Sequence, residues 1–170
     1  MTGDLRNTII SGNSISVGDI GIVATYGNND TLISGNILSC NSAGIDVGGS
    51  ENGWSSNITV TGNNVYAATN PTVMFTYVKN SVISQNTLTT WSNNIIHFDH
   101  ANYNTISDNN LTSTRSTGYC INLYTSNYTT VTNNKMYSSS PDETNALVWG
   151  IRVSGGYYNS LIGNTITNPR

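Results

Sequence analysis

His97-Phe98-Asp99-His100 is the densest group of ionisable side chains in the sequence. A carboxylate beside an imidazole can act as acid and base, the chemistry that glycoside cleavage uses. Alternate residues of an extended strand share a face, so His97 and Asp99 point the same way about 7 Å apart while His100 turns away. That alternation argues against a metal site built from His97, Asp99 and His100, and neither a metal nor another cofactor is expected. Asp46 is the third candidate acid. Lyase chemistry would instead need a base and a cation, for which His97 and Arg152 are the available pair. Whether Asp46 and Arg152 come near His97 depends on how the chain repeats.

It repeats strongly. Asn7-Thr8-Ile9-Ile10-Ser11-Gly12-Asn13-Ser14-Ile15 returns as Asp30-Thr31-Leu32-Ile33-Ser34-Gly35-Asn36-Ile37-Leu38 and then recurs to the C-terminal end. The anchoring asparagines are Asn13, Asn36, Asn63, Asn86, Asn109, Asn134 and Asn164, separated by 23, 27, 23, 23, 25 and 30 residues. Three residues before each anchor stands an aliphatic, from Ile10 to Leu161, and two residues after stands another, from Ile15 to Ile166. Polar residues between them give the period-two alternation of half-buried strands. Gly, Gln, Asp or Asn precedes each anchor, mostly types that tolerate positive φ, so a bend separates two strands of one coil. Anchors at the same bend in every coil can stack as an amide ladder.

A third strand follows in each full coil, as in Gly44-Ile45-Asp46-Val47, Ile95-Ile96-His97-Phe98 and Cys120-Ile121-Asn122-Leu123. The expected fold is all-β: a right-handed, single-stranded parallel β-helix of about seven coils with three strands per coil. It forms one domain over residues 1–170, expected to be a piece of a larger protein. Coil length varies only in the arcs flanking the third strand, notably Gly48 to Ser56 and Ser138 to Asn145, and insertions on one side of a solenoid are where function is usually grafted.

In this register the outward positions of the third strand form two ladders: Val23, Asp46, Met74, His97, Asn122, Arg152, and beside it Thr25, Gly48, Thr76, Asp99, Tyr124, Ser154. Asp46 then lies two coils from His97, on the order of 10 Å, marginally long for an inverting acid pair. The candidate catalytic residues are Asp99, His97 and Asp46. The candidate sugar-binding residues are Asn122, Tyr124, Arg152, Trp91 and Trp54, because polar groups can bond hydroxyls and indoles can stack on sugar rings. Trp149 is expected to roof the end of the core. The competing reading of this face is a solvated strand surface that happens to carry charge. Asp142 and Glu143 in the turn after Pro141 are runners-up for an acid pair.

Composition narrows the alternatives. Six Lys and Arg against nine Asp and Glu offer no basic stripe for phosphates, so nucleic acid is not an expected partner. No apolar run approaches a membrane span. Twenty-seven asparagines suit stacked turns better than a conventional core. Cys40 and Cys120 fall three coils apart, roughly 14 Å, so two buried free thiols are expected.

The signature Asn-x-Ile-x-x-Asn-x-Ile followed by Gly-Ile-x-Val resembles the β-helix repeats of the pectate-lyase-like superfamily, over about Asn7 to Ile166. It is similar in style to the carbohydrate-binding and sugar-hydrolase repeats of NosD-like periplasmic proteins, archaeal surface proteins and phage tailspikes. The resemblance implies an extracellular, cell-surface or virion location and polysaccharide as partner. It also implies a homotrimer, or adjoining domains over the open coil ends. The expected function is polysaccharide binding, with degradation by a glycoside hydrolase or polysaccharide lyase left open. The alternatives are a structural shaft or surface-layer module, and an ice-binding face of Ser16, Ser39, Thr89, Thr112 and Thr167, a column that Tyr66 and Tyr137 interrupt.

Overall fold

The computed structural model describes residues 6–114, 117–138 and 147–167, and contains strands, turns and bends with no helix among them. Every strand pairs in parallel with its counterpart one coil away, giving three sheets. The first runs through Ile9–Ser11, Asn29–Ser34, Ser55–Thr61, Val82–Ser84, Thr105–Ser107, Thr130–Thr132 and Ser160–Ile162, with the short Val78–Lys79 alongside. The second contains Ser14–Val17, Ile37–Cys40, Asn64–Ala67, Thr87–Thr90, Asn110–Ser113, Lys135–Ser138 and Thr165–Thr167. Ile22–Thr25, Ile45–Gly48, Val73–Thr76, Asn94–Asp99, Thr117–Tyr124 and Leu147–Ser154 make the third.

β-Branched and leucine side chains at alternate positions explain why these segments are strands with one dry face. Ile33, Val60, Ile83, Ile106 and Val131 are fully buried in the first sheet, as are Leu88 and Leu111 in the second. In the third sheet Phe75 and Phe98 stack in parallel at 5.2 Å between ring centres. Each such side chain contributes roughly 1.5–3 kcal/mol on burial, so the core is assembled coil by coil. Cys40 and Cys120 are buried free thiols.

The anchor asparagines form one continuous ladder. Asn63 shows the pattern: its backbone N–H and its Nδ2 both donate to Asn86 Oδ1, at 2.9 and 3.0 Å, and Nδ2 also donates to the Ile33 carbonyl. The residue before every anchor, from Gly12 to Gly163, has positive φ. Two further left-handed corners were not legible in the repeat. One runs Asn7, Asp30, Asn57, Asn80, Tyr103, Tyr128, Tyr158, and the other includes Tyr26, Tyr77, His100 and Thr125. Tyrosine is unusual there. Stacking accompanies it: Tyr103, Tyr128 and Tyr158 lie ring on ring at 4.7 and 4.9 Å.

Candidate functional site

The third sheet carries the ionisable residues in the register that the repeat predicts. Val23, Asp46, Met74, His97, Asn122 and Arg152 are successive partners, and so are Thr25, Gly48, Thr76, Asp99, Tyr124 and Ser154. Met74 therefore stands between Asp46 and His97, which keeps the two about two rungs, roughly 10 Å, apart. Burial pushes the Asp46 carboxyl above its ordinary value.

His97 and Asp99 point outward as expected, but each has another partner. Asn122 Nδ2 donates to His97 Nδ1 at 3.1 Å, and Nδ1 of His100 lies 2.7 Å from Asp99 Oδ1. His100 was expected on the opposite face. It meets Asp99 because its φ of 52° turns the chain at the strand end and breaks the alternation. His100 also stacks on Tyr77, at 4.9 Å, and Trp54 meets Tyr77 edge-on at 5.6 Å. Burial holds the His97 imidazole below its ordinary value, while Asp99 acts to raise it and Arg152 to lower it. Tyr124 is exposed and adjoins Asp99 in the pairing.

At the other end of these strands lies a hollow of about 360 Å³, lined by Asn93, Asn94, Gly118, Tyr119, Asn122 and, from the next strand, Trp149 and Arg152. A kink shared by three rungs makes it. Pairing runs Asn94–Tyr119–Trp149, then resumes at Ile96–Ile121–Ile151. Ile95-Ile96 and Cys120-Ile121 are consecutive buried residues, so Asn94 and His97 lie on the polar side three positions apart instead of two. Gly118, with φ 135°, is obligatory: a Cβ there would sit 1.9 Å from the Asn93 carbonyl oxygen.

Trp149 does not roof the core. It is 52% exposed and stacks on Tyr119 at 5.0 Å, because its strand position faces the same way as Asn94. The Arg152 guanidinium lies 5.0 Å from the centre of the Tyr119 ring. The structure thus gathers Asn122 and Arg152 into one place with Trp149, and His97 borders it through Asn122. Trp91 is 60% exposed and precedes Asn93 by two residues, whereas Trp54 belongs to the His100 corner. Asp142 and Glu143 lie outside the described residues.

The family described as periplasmic copper-binding protein (NosD) matches residues 4–149, most of the chain. The chain belongs to the NosD family. The repeats that carry the NosD match build the sheets described above, and the matched span includes Asp46, His97, Asp99, Asn122 and Trp149 but stops short of Arg152. No curated protein and no solved structure matches this NosD-family chain. Asn94, Tyr119 and Gly118 are the site residues that a strict alternation missed, and the paired apolar residues Ile95-Ile96 and Cys120-Ile121 are the signal that marks the kink.

Proposed function

We propose that this NosD-family β-helix binds polysaccharide on its third sheet, outside the cytoplasm, without cleaving it. The observation that carries this reading is the hollow itself, where the exposed Trp149 ring and Tyr119 adjoin Asn94, Asn122 and Arg152. Aromatic faces supply apolar area to sugar C–H groups, and amides and guanidinium serve the hydroxyls. Cleavage is left out because Asp99 is engaged by His100 and Asp46 is a rung beyond Met74, so among the described residues of this sheet no two carboxylates face a common bond. The family's periplasmic description supports the location.

Copper is the ligand in that description. Among the described residues no three His, Cys, Asp or Glu side chains converge. Burial keeps both thiols protonated, Cys120 pushed up to about 12 and Cys40 raised. Among the described residues the donor set does not fit a copper centre.

A second reading, a structural shaft that stacks or trimerises, is favoured by the unbroken parallel pairing that runs coil to coil through all three sheets. Titrating capsular and plant polysaccharides into the protein, with a reducing-end and unsaturated-end assay alongside, decides between these. Saturable binding with no new ends is the expected result, and Trp149→Ala should weaken it about 3- to 10-fold. Failure to bind any glycan, together with sedimentation as a trimer or longer assembly, would replace the first reading by the second.

A further inference from the structure

Two acceptors at the hollow have no partner. Asn94 Oδ1 and Asn122 Oδ1 are shielded from water and make no hydrogen bond, and Asn122 as a residue is only 6% exposed. Folded proteins leave few such atoms, since each forfeits the bonds it made to water. Asn122 Nδ2 donates to Nδ1 of the half-buried His97. An amide oxygen can only accept, so what satisfies Oδ1 must be a donor.

Arg152 asks for the opposite chemistry. It is exposed, lies over Tyr119, and has no ion-pairing carboxylate among the described residues. Its forked guanidinium suits an anion with two oxygens. A ligand that donates to two amide oxygens, offers an apolar ring face to Trp149 and Tyr119, and presents an anion to Arg152 is a charged sugar. The hollow's 360 Å³ falls within the roughly 300–1,000 Å³ of small-molecule sites.

We infer that this hollow is a subsite for an anionic sugar residue, its hydroxyls donating to Asn94 and Asn122 and its carboxylate or sulfate held by Arg152. The inference rests on the glycan-binding reading and narrows it. His97 is a positioning residue that orients the Asn122 amide.

The test is calorimetric titration of the full chain with oligouronates and sulfated oligosaccharides, each beside its carboxyl-reduced or desulfated counterpart. The charged member of at least one pair should bind about tenfold tighter. Arg152→Gln, an exposed change checked by circular dichroism, should bring the charged and neutral members of that pair to the same affinity. Preference for uronate over sulfate, with Arg152→Lys recovering little, identifies a carboxylate gripped by the fork; the reverse identifies sulfate. Equal binding of charged and neutral members, or equal weakening of both by Arg152→Gln, overturns the anionic subsite and leaves glycan binding standing. No binding across the panel overturns both.

Discussion

Asn86 holds three coils together through one side chain. Its Oδ1 accepts from the backbone N–H and Nδ2 of Asn63, and its Nδ2 reaches the carbonyls of Val60 and Ser84 and Oδ1 of Asn109. Asn86→Ala leaves several of these groups buried and unpaired at roughly 1–3 kcal/mol each, so a loss of about 3 kcal/mol or more is expected in urea unfolding. Asn13, exposed in the first described rung, should cost under about 1 kcal/mol on the same change. Equal losses at the two sites would mean the ladder is not what stabilises the bend. Two titrating residues give opposite pH signatures. Half-buried His97 has a lowered folded-state value, so stability is full above the unfolded value of about 6.5 and falls as pH drops through it. His97→Gln should flatten the loss of melting temperature between pH 7 and pH 5. Asp46 is raised, so its charging as pH climbs above 3.8 costs stability. Asp46→Asn should accordingly raise the melting temperature at pH 7 and leave it unchanged near pH 3.

At the scale of the strand, the third sheet separates what periodicity reveals from what it hides. The ladder Asp46, Met74, His97, Asn122, Arg152 was readable because strand alternation and a common coil register place those residues without further information. The hollow beside it was not, because it depends on a kink where Ile95 and Ile96 are both buried and the outward face is re-aimed. His100 escaped for a related reason: a left-handed histidine ends the strand and redirects the ring, and no side-chain type at that position announces it. The kink has its own test. Gly118→Ala meets both a forbidden φ and the Asn93 carbonyl, so a loss of roughly 1–3 kcal/mol is expected from thermal unfolding. Gly12→Ala also sits at positive φ but meets nothing within 4 Å, and should cost only about 1 kcal/mol. Glycan affinity should fall in the first variant and hold in the second.

For the molecule as a whole, the consequence of identical stacked turns is that one turn is dispensable while a fraction of one is not. Asn63 and Asn86 are equivalent anchors 23 residues apart, and Asn64 pairs with Thr87. Deleting Asn64–Asn86 joins Asn63 to Thr87 and lets Ile45–Gly48 stack on the strand that carries His97, with the hollow of Asn94, Tyr119, Asn122, Trp149 and Arg152 untouched. Because each coil contacts only its neighbours, the shortened chain should keep its strand content per residue, melt cooperatively at a somewhat lower temperature, and bind glycan as before. Deleting Val65–Asn86, one residue fewer, has a different outcome. If Asn63 remains the anchor, Leu88 falls on the outer face; if Asn64 takes over, Val60 does. Side-chain period is two, so one residue of slip turns a whole inward set to water, and no arrangement of that joint spares both strands. Circular dichroism and melting of the two deletions, side by side, should show a folded protein and a destabilised one. Were both to fold equally well, the coils would be held by something other than the common register of amides and aliphatics, and the placement of His97 beside Asn122 would lose its basis.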